Sequence, residues 1–253
     1  TIDGGAGPIA ARHYAPPVDG PAPLLVYFHG GGFTVCDLDT HDEPCRLLCR
    51  HAGTHVLSVD YRLAPEHPFP AALDDARAAL RWAQANAAAL AAVVSRRATR
   101  EGAPPVAQLL VYPTVDSITR RGTHERFGTG FFLDERDRAQ FSACYLGGTG
   151  VTGAHPDVSP MLARDLQGLP PALVVVAHFD VLRDEGEAYA EALADADNVV
   201  RIQRVPTLGH AFINMTGVSR TARAEVLRMA RLWRELVAGT PAHALPSITE
   251  RRA

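Results

Sequence analysis

The residues best suited to chemistry in this chain start at His29, where Gly30, Gly31 and Gly32 follow without a break. Three consecutive glycines place no side chain between backbone and ligand, so their N–H groups can turn toward a developing negative charge. Such a loop suits an oxyanion; on its own it serves equally as a plain turn after a strand. No nucleophile of matching kind accompanies it. The serines are Ser58, Ser95, Ser117, Ser142, Ser159, Ser219 and Ser247, and none lies in a Gly-x-Ser-x-Gly context. Cys36, Cys45, Cys49 and Cys144 form no Cys-x-x-Cys pair and no metal-like spacing, so they read as reduced thiols. His51 and His55 have helical spacing, but Gly53 between them speaks against a metal site. Gly148, Gly150 and Gly153 match a dinucleotide-type spacing, yet they follow a helix-like stretch and run into prolines, so no nucleotide cofactor is expected.

The glycines must be presented by a strand, and one precedes them. Leu24 to Phe28 is an unbroken apolar run that suits a strand buried on both faces of a parallel sheet. Ahead of it, Ile9 to Tyr14 alternates as an antiparallel edge strand would. Asp42 to His51 has helical spacing closed by Gly53, and His55 to Val59 is the next strand. Ala71 to Arg100 contains no Gly or Pro and reads as one helix of about 30 residues, roughly 45 Å long, which is unusual for a globular α/β domain. Val106 to Tyr112 is a further strand. Ser117 to Pro160 is irregular, with an amphipathic piece at Arg136 to Leu146. Strands at Leu173 to Ala177 and Val199 to Val205 then alternate with helices at Asp184 to Ala196 and Arg220 to Val237. This order predicts a single α/β domain over residues 1–253, with a mostly parallel sheet flanked by helices and one antiparallel edge.

Composition narrows the class further. At 253 residues, 47% hydrophobic and 21% charged, the chain has an ample core and is not disordered. No apolar run reaches the length of a membrane span. A net charge of -3 gives no reason to expect nucleic acid as a partner. No secretory leader is visible and the thiols read as reduced, so a cytoplasmic location is expected; Thr1 stands inside a strand approach, and a preceding segment is expected.

Asp60 to Pro70 reads Asp-Tyr-Arg-Leu-Ala-Pro-Glu-His-Pro-Phe-Pro, followed by Ala71-Ala72-Leu73-Asp74-Asp75. Together with His29 to Phe33, this resembles the hormone-sensitive-lipase-like group of α/β-hydrolases, mostly carboxylesterases of bacteria and archaea. The resemblance covers almost the whole chain. It implies an α/β-hydrolase fold, a cap-like insertion at residues 117–160, a small-molecule ester substrate and no metal or organic cofactor. It also implies a catalytic order of Ser, acid, His. Asp180, in Phe179-Asp180-Val181-Leu182-Arg183-Asp184-Glu185-Gly186, stands in the acid's place, and His210, in Leu208-Gly209-His210-Ala211-Phe212-Ile213-Asn214, in the histidine's. Gly30, Gly31 and Gly32 take the oxyanion hole, with His29 as the residue that leads into it. The plain alternatives are a helix N-cap for Asp180, a role Asp184 could serve better, and a structural loop histidine for His210. The family often pairs through its last edge strand, here Val199 to Val205, so a homodimer is possible on that resemblance.

The chain departs from the family at the nucleophile. Members carry a strand and a Gly-Asp-Ser-Ala-Gly-Gly elbow between two helices that here meet directly, at Leu90 and Ala91. The difference is on the order of 15 to 20 residues. Ser95 cannot substitute, because a serine in mid-helix is not strained outward. In the family fold that strand lies between the organising strand and Val106 to Tyr112, and its loss leaves two edges roughly 9 to 10 Å apart. Either those strands pair directly, or residues belonging between Leu90 and Ala91 are omitted here; the second is the expectation. Two functions follow: a carboxylesterase for short-chain acyl esters, or an inactive homologue that binds a small ligand, as plant gibberellin receptors do.

Overall fold

The computed structural model describes residues 1–4, 6–20, 22–86, 92–102 and 104–239. The expected strand at Ile9 to Tyr14 is divided. Ile2–Gly4 (β1) and Gly7–Ile9 (β2) form an antiparallel hairpin, and Ala11–Tyr14 (β3) starts afresh. The Ala10 carbonyl between them accepts from Asp60 N at 2.9 Å, which turns the chain out of the hairpin and into the sheet. Leu24–Phe28 (β4) and His55–Val59 (β5) are parallel neighbours, and β3 lies antiparallel on the other side of β5, giving the order β3-β5-β4. The antiparallel edge is therefore where it was expected. Asp42–Ala52 (α1) makes the crossover and ends at Gly53, whose φ of 65° is the left-handed cap that glycine adopts freely.

A second sheet holds Gln108–Val111 (β6), Ala172–Phe179 (β7) and Val200–Gly209 (β8), all parallel, in the order β6-β7-β8. β7 is the central strand, and its first six residues are buried, as an unbroken Leu-Val-Val-Val run requires. Arg183–Asp195 (α6) connects β7 to β8, and Arg220–Ala238 (α7) closes the fold with Ala222, Val226, Met229, Ala230, Trp233 and Val237 buried along one face.

Among the described residues, β4 and β6 do not pair, so the direct closure weighed from the sequence is not what is found. One face still joins the two sheets. Leu25, Tyr27 and Val56 share a continuous apolar cluster with Leu173, Val175 and Val205, roofed by α1 and α7. On the opposite face the core is in separate parts. Ala71–Asn86 (α2) and Ala92–Arg100 (α3) pack on β4 and β5, whereas α6 packs on β6 and β7. The 30-residue helix expected at Ala71 to Arg100 is thus two helices. The junction at Leu90 and Ala91 lies outside the described residues, and Ser95 sits buried within α3.

Residues 117–160 carry Gly122–Phe127 (α4) and Glu135–Leu146 (α5). The piece expected to be amphipathic is helical, but only Tyr145 of α5 is buried, packed near Tyr61 and Phe69; its N-terminal cap and the ion pairs of Arg138 add to that anchor. Asp134 caps it by accepting from Arg136 N and Asp137 N.

Candidate active site

Asp180 and His210 come from neighbouring strands. Asp180 follows the last residue of β7 and is fully buried; His210 follows the last residue of β8. Parallel register brings the two strand ends together, and His210 Nδ1 lies 2.9 Å from Asp180 Oδ2. A carboxylate can only accept, so Nδ1 carries the proton and Nε2 is left as the basic nitrogen. The other carboxylate oxygen, Oδ1, accepts from Leu182 N at 2.9 Å, which fixes the plane of the acid. Asp180 is therefore not the N-cap of α6. Neither is Asp184: it accepts from Thr123 N (3.0 Å) and ties α6 to the start of α4.

Tyr112, just past β6, lays its ring 4.4 Å from the His210 imidazole. It does so at φ 37°, a left-handed backbone that a bulky side chain rarely adopts. Sequence reasoning did not single out Tyr112, because a tyrosine ending an apolar strand looks like core. Asn214 was missed as well. Its Nδ2 donates to Thr40 O at 2.8 Å, joining the histidine loop to the segment that follows the glycines.

The glycine loop turns tightly. Gly31 O accepts from Thr34 N and Val35 N (3.0 and 3.1 Å), with Gly31 at φ 121° and Gly32 at φ 58°. The Gly31 angle needs glycine, and a side chain there would collide with the Val35 carbonyl at 2.1 Å; one on Gly32 would meet the Phe141 ring. Among the described residues none accepts a hydrogen bond from the N–H of Gly30, Gly31 or Gly32. Donors kept free in this way are what an oxyanion hole requires.

His29 packs beneath the loop. It is buried, donates from Nδ1 to Gly30 O (2.8 Å), and stacks on Tyr61 at 4.4 Å. Tyr61 in turn donates to His29 O at 2.7 Å. Burial lowers the His29 pKa, and it lowers that of neighbouring His41 to about 4, helped by the proximity of His29. Both rings are thus neutral beneath the glycines. The Asp60 to Asp75 motif acts here as a brace. Besides Tyr61, Arg62 pairs with buried Asp75 through Nε (2.9 Å) and Nη2 (2.8 Å), and Ala64 N donates to Phe33 O (2.8 Å). From α5, Tyr145 stacks on Phe33 at 4.0 Å.

A sequence profile described as the alpha/beta hydrolase fold matches residues 25–214. Carboxylic ester hydrolase LipN of Mycobacterium tuberculosis is 47% identical over 239 residues, covering 85% of this chain and 64% of LipN. The chain belongs to the α/β-hydrolases, in their hormone-sensitive-lipase-like group. This α/β-hydrolase spans less than two thirds of LipN's length. It is also 35% identical to the ethyl acetate hydrolase of Pseudomonas putida, over 88% of its own length and 76% of the relative's. The esterase of Pyrobaculum calidifontis superposes on the α/β-hydrolase with a TM-score of 0.87 at 35% identity, covering 93% of this chain and 84% of the other. The LipN match has an internal consequence. Of 253 residues, 85% is about 215, some two dozen fewer than the 239 aligned positions, so LipN fills positions that this α/β-hydrolase does not.

Proposed function

We propose that this chain forms most of a carboxylic ester hydrolase acting on small, short-chain acyl esters through a Ser-His-Asp acyl-enzyme, with the serine elbow belonging between Leu90 and Ala91. The observation that carries the reading is the 2.9 Å contact from His210 Nδ1 to buried Asp180, which leaves Nε2 as a base. The unpartnered glycine N–H groups support it, as do the two dozen positions filled in LipN and the name of the ethyl acetate hydrolase. A homologue that only bound ligand would have no use for an oriented base on a buried acid.

In this reading the serine Oγ adds to the ester carbonyl while its proton passes to His210 Nε2. The carbonyl oxygen gains the charge and takes it to the N–H groups of Gly30 and Gly31, with Gly32 completing the turn. Collapse breaks the bond to the alcohol oxygen, which leaves with the proton from His210. Water then repeats the sequence on the acyl-enzyme. Asp180 holds the tautomer and stabilises the imidazolium throughout.

The test is to insert a strand followed by Gly-Asp-Ser-Ala-Gly between Leu90 and Ala91 and to assay ethyl acetate hydrolysis. Turnover is expected to depend jointly on the new serine, His210 and Asp180. Removing the serine or His210 alone should cost nearly as much as removing both, while Asp180→Asn should cost somewhat less. A folded insertion product that is inert, or whose rate survives His210→Ala, would overturn the assignment.

A further inference from the structure

Glu185 lies in the first turn of α6 and is fully buried, yet the steps assigned to His210 and Asp180 do not use it. Its Oε1 accepts from Val115 N at 2.9 Å and from Asp116 N at 3.3 Å, in the segment that leaves β6 just after Tyr112. Its Oε2 accepts from Arg138 Nη2 of α5 at 3.2 Å. The same turn is continuous with Asp180, whose Oδ1 takes the Leu182 N–H and whose carbonyl takes that of Arg183 at 3.2 Å. Glu185 therefore bridges the two walls of His210: the turn that carries its acid, and the segment whose Tyr112 ring lies on it. The approach there is close. A methyl group on neighbouring Gly186 would stand 2.9 Å from Val176 Cγ1, so the glycine lets α6 sit this near the strand ends.

The charges around Glu185 come from each element packed against it. α5 supplies Arg138 and Glu135, which pair at 2.9 Å. α4 supplies buried His124, whose Nε2 lies 4.0 Å from Glu185 and 3.9 Å from Glu135. The segment after β6 supplies buried Asp116, paired with Arg121 at 3.1 Å. On α6 itself, Asp184 turns toward Thr123 N and Arg126 instead. Arg121 N donates to His124 Nδ1 at 2.9 Å, so the neutral ring carries its proton on Nε2; burial and Arg138 both lower its pKa. Arg138 and the two amides offset only part of the cost of burying the acid. Burial pushes the Glu185 carboxyl up to about 7, and Asp116 adds to the rise.

We propose that Glu185 is a positioning residue for the pair His210 and Asp180, holding the acid's turn against the Tyr112 side through Val115, Asp116 and Arg138. The proposal rests on the reading of His210 as the base, since only then does the alignment of the pair matter to turnover. The link is strongest with the carboxylate charged, because hydrogen bonds to an ionised acceptor are about twice as strong as neutral ones. It slackens as the pH falls through about 7, where the neutral carboxyl no longer pairs with Arg138.

The test follows the Nδ1 proton of His210 by NMR, through its exchange with water, in the parent and in Glu185→Gln at pH 8.5 and pH 5.5. Glutamine has the shape of the neutral acid, so the variant stands for the protonated state at both pH values. At pH 8.5 the proton should exchange about tenfold faster in the variant, and at pH 5.5 the two proteins should exchange alike. The intrinsic pH dependence of exchange cancels in each ratio. A merely structural Glu185 would instead lower the melting temperature and leave both ratios at one. That outcome, or the same raised ratio at both pH values, would overturn the proposal. If Glu185→Gln does not fold, Arg138→Met takes its place: it leaves the carboxyl buried without its cation, and the same pattern is expected and the same outcomes overturn it. With the elbow inserted, this pattern in a protein that never hydrolyses ethyl acetate keeps the positioning role and sinks the esterase reading; turnover with both ratios at one does the reverse.

Discussion

At the scale of single residues, the glycine loop separates its members sharply. A methyl group on Gly31 would stand 2.1 Å from the Val35 carbonyl at φ 121°, whereas one on Gly30 would have 4.0 Å of clearance to His41. Gly31→Ala should therefore cost about 1 to 3 kcal/mol of stability and, in the elbow-restored enzyme, about a hundredfold or more in kcat. Gly30→Ala should leave the urea midpoint nearly unchanged; equal losses in the two variants would contradict the loop geometry. Beneath the loop, His41 supplies a pH dependence whose sign is fixed by burial. Its folded pKa of about 4 lies below the ordinary 6.5, so the unfolded chain takes up a proton first as the pH falls. Stability is complete above 6.5 and is lost down to about 4, by at most roughly 3 kcal/mol. Urea titrations at pH 7 and pH 4.5 should show a smaller difference for His41→Gln than for the parent. These roles were only partly legible in the sequence. Asp180, His210 and the glycines sat in recognisable strings, but the buried state of His41 and the strained backbone of Tyr112 depend on what packs against them, and no local spacing encodes that.

Among the elements, the Asp60 to Asp75 stretch shows how a long motif can be structural in its action. Its Tyr61 and Arg62 reach, respectively, the carbonyl of His29 and the carboxylate of Asp75 near the start of α2, so the loop joins the end of β4 to the first turns of a helix. Asp75 is almost wholly buried and Arg62 is about two thirds buried, and removing one partner strands the other's charge. Asp75→Asn is expected to cost about 2 to 3 kcal/mol, discounted for the exposed part of Arg62. Tyr61→Phe, which loses one hydrogen bond, should cost only about 1 kcal/mol. A urea midpoint that falls more for Tyr61→Phe than for Asp75→Asn would show that the ion pair is not the brace. Element types were largely readable from apolar runs and caps, and α1 with its Gly53 cap is the clearest instance. α5 was located to within a residue by the stretch Arg136 to Leu146, but its single buried residue shows that the apolar face read there is not a core face; the Asp134 cap and the pairing of Arg138 with Glu135 and with the fully buried Glu185 support it instead.

For the whole molecule, the decisive feature is the division of the sheet. β4 and β6 each end a three-stranded sheet, and both feed the apolar cluster under α1 and α7, with Tyr27 of β4 inside it and Tyr112 just past β6 packed against it. The sequence left two outcomes open here, direct pairing of the two strands or a gap for an absent one, and the unpaired edges of β4 and β6 exclude the first among the described residues. Backbone N–H and C=O groups on the free edges of β4 and β6 have no ladder partner among the described residues, and each such group, if kept from water, costs about 1 to 3 kcal/mol. A strand inserted between Leu90 and Ala91 and running parallel to both would pair each edge and join the separate clusters under α2 and α6 into one. The inserted protein should therefore unfold at a higher urea concentration and with a larger m-value, because more surface is buried in a single cooperative unit. Hydrogen exchange reads the same change locally: the amides of Val26 and Leu109 that face the inserted strand should slow by orders of magnitude, while those of Val174 and Val175 in β7, already central, should follow only the global stability. If the amides of β4 and β6 exchange as slowly in the chain without the insertion as with it, the two sheets are already joined in solution, and the place assigned to the nucleophile's strand is wrong.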